Sequence, residues 1–157
     1  MKLQDLLQKN YIVIDIKATG KLDLISQMGR YLASCFDLGN PELIIQKIVQ
    51  READMSTGIG FGIAIPHCRL DSVSRSFMIA ARAADDIDFE AIDDQPVRLA
   101  FMMVSPPNTT EHGQILSQLS KVLKDETTRD SLLKAATAEE FLSVIMAAEN
   151  SLGLAAS

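Results

Sequence analysis

Two histidines, His67 and His112, are the only side chains in this sequence whose ordinary pKa, near ~6.5, leaves them free to gain or lose a proton at neutral pH. His67 directly follows Ile63-Ala64-Ile65-Pro66, a short apolar run that predicts a strand stopped by proline. Ligands of open α/β sheets gather beyond strand ends. A neutral imidazole placed there can attack phosphorus through one ring nitrogen if the other is held as N–H. Just upstream, Gly58-Ile59-Gly60-Phe61-Gly62 sets three glycines at alternate positions. Such a loop leaves backbone amides uncovered, and uncovered amides cradle phosphate oxygens. Taken alone, the same string is also a plain tight turn. It is neither a dinucleotide fingerprint nor a Walker loop, because no predicted strand precedes it and no Gly-Lys-Ser/Thr follows.

His112 lies near the start of a predicted helix beside Glu111, where the helix N-terminus offers partial positive charge to an arriving phosphate. A half-buried helix histidine is the plainer reading of the same residue. Arg51 ends another predicted helix just before the glycine loop, either to pair with phosphate oxygens or to sit solvated at the helix end. Two histidines with Glu111 and Cys68 would be a rival ligand set for a metal, but no zinc-motif spacing is present. A nucleophile elbow for serine hydrolysis is also missing.

The elements that must position these groups are readable from periodicity. Leu3 to Leu7 predicts a short helix and Tyr11 to Ile16 a strand. Leu22, Ile25, Met28, Leu32 and Phe36 recur at helical spacing across Lys21 to Phe36. Asn40-Pro41 caps the next helix. Strands are predicted at Ser76 to Ala84 and Val97 to Val104, the second being the most apolar in the chain. Helices follow at Thr110 to Lys124, Thr127 to Ala135, and from the capping box at Thr137 to about Ala148. Strands interleaved with helices indicate an α/β layer fold. One domain over residues 1–150 is expected, with a frayed tail at 151–157.

Of the 157 residues, 47% are hydrophobic, enough for a sizeable core in one domain. The net charge of −6 argues against a broad nucleic-acid surface. No apolar run is long enough to span a bilayer, and Met1 to Asp5 lacks the apolar core of a signal peptide, so a cytoplasmic chain without membrane insertion is expected. Cys35 and Cys68 then read as reduced thiols.

The stretch from Arg51-Glu52 through Ser56-Thr57-Gly58-Ile59-Gly60-Phe61-Gly62-Ile63-Ala64-Ile65-Pro66-His67 resembles the signature of enzyme IIA domains of the bacterial phosphoenolpyruvate-dependent phosphotransferase system, fructose/mannitol and nitrogen-regulatory type. The resemblance continues through Phe89 to Val97, the strand to Val104, and Glu111-His112 with its helix, covering Leu6 to about Ile145. It implies a mixed sheet of about five strands with helices on both faces. It implies that the histidine phosphocarrier protein gives a phosphoryl group to Nε2 of His67, and that an enzyme IIB domain receives it. It further implies that His112 helps hold His67, that Arg51 serves the phosphorylated site, and that neither metal nor nucleotide cofactor is needed. Thr57, Gly58 and Gly60 are the expected holders of the phosphoryl oxygens. Relatives commonly carry glycine where this chain has Cys68, which leaves His67 intact but opens the questions of local backbone and oxidation.

Two roles fit this reading: transfer to an IIB domain for sugar uptake, and regulation of other proteins by phosphorylation-dependent binding. An inactive structural relative is a third, against which the intact motif argues. The sugar, the acceptor and the oligomeric state are not legible. A phosphocarrier must meet two partners in turn through a modest surface. Phe61, with Ile59, is the expected apolar part of that surface, the alternative being that it tucks into the core.

Overall fold

The computed structural model describes residues 2–153. In chain order the elements are α1 (Leu3–Leu6), β1 (Ile12–Ile16), α2 (Lys21–Phe36), α3 (Pro41–Asp54), β2 (Gly58–Gly60), β3 (Ile63–Ala64), β4 (His67–Arg69), β5 (Phe77–Ile87), β6 (Val97–Ser105), α4 (Glu111–Leu123), α5 (Glu126–Lys134) and α6 (Ala138–Ser151). The strands form one mixed sheet in the order β1-β5-β6-β3-β2, with β4 also paired to β6. This is the mixed sheet expected, with the glycine string supplying β2 and the strand that carries His67 divided into β3 and β4. The last predicted helix runs on to Ser151; the rest of the expected tail, 154–157, lies outside the described residues.

Alternation along β6 builds two cores at once. Ala100, Met102 and Val104 join the cluster packed by α2 and α3, while Leu99, Phe101 and Met103 join that packed by α1, α4, α5 and α6. A central strand covered on both faces must be apolar at every position, which is why Val97 to Val104 reads as an unbroken hydrophobic run. The helices begin where their caps require: Asn40, Asp125 and Thr137 accept the backbone N–H groups of Glu42, Thr128 and Glu140.

β3 and β4 are two pieces of one strand. Ile63 pairs with Leu99, Ala64 with Ala100, His67 with Met103 and Cys68 with Val104, so the register on β6 is the same on both sides of Pro66. Pro66 still offers its carbonyl to Met103 N–H, but it has no N–H of its own to return to β6. His67 therefore lies not beyond a strand end, as its sequence context predicts, but at the point where an interrupted strand resumes.

Arg82 is one of the buried charged groups of the interior. It is 5% exposed and donates to both oxygens of Asp15 and to the carbonyls of Leu132, Leu133 and Ala135. Those carbonyls belong to the C-terminal end of α5, where no helical N–H remains to meet them. Replacing Arg82 by Ala should destabilise the protein by about 3 kcal/mol in chemical denaturation, because buried acceptors lose their donor. Asp15→Asn should lose far less, since the Asp15 side chain is mostly solvent-exposed.

Candidate active site

His67 opens β4 and Arg69 shares its face of the strand, while Cys68 points the other way into the core under α2 and α3. Helix α3 packs along β4 and presents Lys47, Gln50, Arg51 and Asp54, a stripe at helical spacing. With His112 from the first turn of α4, these residues line an open cleft of about 590 Å³. The structure thus brings together His67, His112 and Arg51, which come from three separate stretches of chain.

The His67 ring bonds back on its own strand: Nδ1 lies 2.7 Å from the Ile65 carbonyl. A carbonyl can only accept, so Nδ1 must carry the proton and Nε2 the free lone pair. That carbonyl is available because it faces the sheet edge. Ile65 N–H is taken by the Thr57 carbonyl at the start of the β2 strand, and no further strand follows there to use Ile65 C=O. Burial lowers the His67 pKa, the Ile65 carbonyl raises it, Arg51 and Arg69 lower it and Glu52 raises it, with a net downward shift. The ring is neutral at pH 7.

His112 is 7% exposed, and its ring meets that of His67 edge-on at 5.1 Å between centroids. Burial, with the neighbouring His67, Arg69 and Arg51, lowers its pKa to about 4. Its Nδ1 is buried with no hydrogen-bond partner among the described residues. The placement of α4 is secured from β4: Arg69 Nη1 donates to the carbonyls of Pro106 and Thr109 in the loop before the helix. Arg51 Nη1 donates to the Met55 carbonyl 2.8 Å away, which holds the guanidinium at the end of α3.

Thr57, Gly58 and Gly60 do not line this cleft. The N–H and hydroxyl of Thr57 both bond the buried carboxylate of Glu52. Gly58 packs so closely on Ala91 that a Cβ would meet it at 2.8 Å. Gly60 faces the Asp93 carboxylate, a poor neighbour for phosphate, and with Gly62 it adopts the positive φ of a tight β2–β3 turn. The glycine string thus forms strand β2 at Gly58–Gly60 and the turn at Phe61 and Gly62 that leads to β3. Phe61, in that turn, is 59% exposed, as expected of a surface residue, and stacks under Arg129. Yet Gly62 bonds β6 at Leu99 and His67 pairs at Met103, so Phe61 and His67 sit at opposite ends of the strand, about 16 Å apart. Phe61 therefore does not adjoin the histidine.

Cys68 takes an ordinary extended conformation in β4, so no positive φ is demanded of it. Burial pushes its thiol up to about 12, which leaves it protonated and unreactive. Among the residues lining the cleft, sequence reading missed Arg69 and Lys47. The i+2 alternation after His67 and the i−4 spacing before Arg51 were signals for them.

A model of the phosphoenolpyruvate-dependent sugar phosphotransferase system, EIIA 2, matches residues 5–148. The chain is 41% identical over 115 residues, 73% of its length and 70% of the relative's, to the fructose-specific EIIA component of the phosphotransferase system of Haloferax volcanii. It superposes on the crystal structure of nitrogen regulatory protein IIA-Ntr from Neisseria meningitidis with a TM-score of 0.86 at 30% identity, over 91% of this chain and 98% of that one. It has the fold of enzyme IIAMTL from Escherichia coli, solved in complex with phosphorylated enzyme IIBMTL, at a TM-score of 0.78 and 24% identity, over 90% and 97% of the two chains.

Both histidines bind protons less readily folded than unfolded, so the unfolded chain takes up protons first as acid is added. Unfolding free energy should therefore fall as pH drops from about 6.5 towards about 4, and the His112→Asn variant should show a shallower fall over that window. Denaturant titrations at pH 7 and pH 5 would measure it; equal slopes for the two proteins would remove His112 as a source.

Proposed function

The chain belongs to the EIIA 2 family of the phosphoenolpyruvate-dependent sugar phosphotransferase system, a family of phosphotransferase components, and from that membership we propose that it carries a phosphoryl group on Nε2 of His67. The observation that carries the reading is the Nδ1 hydrogen bond to Ile65, which leaves Nε2 as the nucleophile in a cleft of cations. The histidine phosphocarrier protein is the proposed donor. Its nitrogen–phosphorus bond breaks as the Nε2 lone pair forms the new one, and the Nδ1 proton stays on the His67 ring. Such transfers need positioning and charge stabilisation more than covalent machinery. Arg51, Arg69 and Lys47 surround the cleft and would hold the equatorial oxygens. His112, kept neutral, would meet the same oxygens through a ring N–H. No step calls for a metal or nucleotide.

The proposed acceptor is an enzyme IIB domain, as the phosphorylated IIB partner of the Escherichia coli mannitol relative supports. The likeness to the Neisseria nitrogen regulatory protein supports the second reading, control of other proteins by phosphorylation-dependent binding in the cytoplasm. Met55, 67% exposed just beyond Arg51, replaces Phe61 as the apolar residue at the rim where a partner would dock.

Incubation with phosphoenolpyruvate, enzyme I and the histidine phosphocarrier should label the protein with an acid-labile phosphate, and His67→Ala should take up none. Label on the His67→Ala protein would sink the assignment. Arg51→Gln should slow labelling by roughly tenfold to a hundredfold, the loss of one charge-assisted contact to the phosphoryl group. Chase of the label onto the cysteine of a IIB domain would favour transport; selective capture of a protein by one phosphorylation state alone would favour regulation.

A further inference from the structure

Behind the cleft lies a second set of polar groups that the scheme above leaves unused. Glu52 follows Arg51 on α3 but points the other way. It is 5% exposed, and a carboxylate so buried is unfavourable unless it is fully paired. Its Oε2 lies 2.9 Å from Lys21 Nζ, at the first residue of α2, and 2.8 Å from the Thr57 N–H, while Oε1 accepts the Thr57 hydroxyl. Lys21 in turn donates to the Phe89 carbonyl. Thr57 passes the constraint on, since its carbonyl accepts Ile65 N–H at 3.0 Å. Ile65 completes the path by accepting His67 Nδ1–H at 2.7 Å. Three hydrogen bonds thus connect the buried carboxylate to the ring nitrogen that decides which tautomer His67 adopts.

We propose that Glu52 is a positioning residue for phosphoryl transfer: through Thr57 and Ile65 it holds His67 in the Nδ1–H form, and its negative charge favours the phosphoimidazolium produced when Nε2 attacks phosphorus. The inference rests on the phosphohistidine reading above. The ring gains positive charge as the lone pair becomes the nitrogen–phosphorus bond, while its Nδ1 proton remains on Ile65 C=O. A carboxylate that touches its histidine directly orients and stabilises it in the same way in hydrolytic triads. Here the contact is relayed through two residues of backbone, which leaves the Ile65 carbonyl as the atom that meets the ring. The charge is close enough to act: Glu52 raises the His67 pKa against Arg51 and Arg69. Lys21 neutralises the carboxylate from the side away from the cleft, at a separate concavity lined by Thr19, Leu22 and Glu90.

The test pairs Glu52→Gln with Thr57→Val and Thr57→Ser. Imidazole ¹⁵N spectra of the unphosphorylated proteins report the His67 tautomer, and labelling by the phosphocarrier system reports rate. In Glu52→Gln the Nδ1–H form should no longer dominate, the His67 titration midpoint should move to lower pH, and the rate should fall by about tenfold, the low end of the loss seen when an outer-shell partner of a functional histidine is removed. Thr57→Val removes the hydroxyl bond to Glu52 but keeps the Thr57 N–H bond and the charge, so it should shift the tautomer and slow labelling in the same direction by a smaller amount, and Thr57→Ser should recover the wild type. A wild-type tautomer and rate in Glu52→Gln would overturn the proposal. So would a loss of thermal stability with an unchanged tautomer, which would make Glu52 a structural ion pair. If Glu52→Gln does not fold, the two Thr57 variants decide by the same readouts. Should the wild type take up no label, the phosphocarrier reading fails, while the tautomer spectra still decide whether Glu52 positions the ring.

Discussion

The hydrogen bond from His67 Nδ1 to the Ile65 carbonyl spans only two residues of chain, yet it determines which nitrogen of the ring can react. For it to form, the carbonyl must be left out of the sheet. Ile65 faces away from β6, and on its outer side the chain supplies one acceptor, the Thr57 carbonyl, for Ile65 N–H and no donor for Ile65 C=O. Pro66 then fixes the following φ and biases Ile65 towards an extended backbone, so the free carbonyl points where the next side chain can fold back on it. Since β4 resumes on β6 without a change of register, His67 is as firmly placed as any strand residue. A reactive side chain on a strand, bonded to that strand, loses little precision to loop motion.

Around that bond the electrostatics work in one direction before transfer and in another after it. In the resting protein, burial and the cations of the cleft keep His67 neutral and hold His112 neutral down to about pH 4. A neutral ring has the lone pair that attack requires. On the proposed reading, a phosphoryl group on the ring would turn the charge of the same cations from a constraint on the ring into attraction for an anion. The chain as a whole bears a net charge of −6. With Lys47, Arg51 and Arg69 against the single carboxylate of Asp54, the cleft is a positive opening in an acidic molecule.

Much of this was legible in the sequence. The bounds of α2 match the apolar spacing from Lys21 to Phe36, the caps at Asn40 and Thr137 are those observed, and β6 is the most apolar run. Each of these depends on local periodicity or on a side chain bonding its near neighbours. His67, His112 and Arg51 were singled out by residue type and context, with their roles implied by the family resemblance, and the fold places them together. What local pattern does not encode is which edge a strand meets. The continuity of β3 and β4 across Pro66 is a property of β6, more than thirty residues away in sequence, and with it the position of Phe61 at the far end of the strand. Thr57 and the glycines were expected at the phosphate because a glycine-rich loop leaves backbone amides uncovered. In the fold, Thr57 is bonded to Glu52 and the glycines are spent on close packing and a turn. The burial of Glu52 was equally hidden, because a charged residue beside Arg51 at a helix end reads as solvated.

Cys68 shows how tightly the two halves of the site are joined. It alternates with His67 on β4, so its side chain is buried against α3, in the same cluster as Ile44 and Ile48. Helix α3 carries Arg51 and Lys47 on one side and packs on β4 with another. The volume of the side chain at position 68 therefore helps to set how far the cations stand from the His67 ring. Interiors close-packed to the density of organic crystals transmit such changes instead of absorbing them. A bulkier residue there would press α3 away from the strand that bears His67 and so move Arg51 and Lys47 from the ring, although the substituted residue itself does not share the His67 face of β4. The small, protonated thiol meets the steric demand without adding a second nucleophile to the cleft.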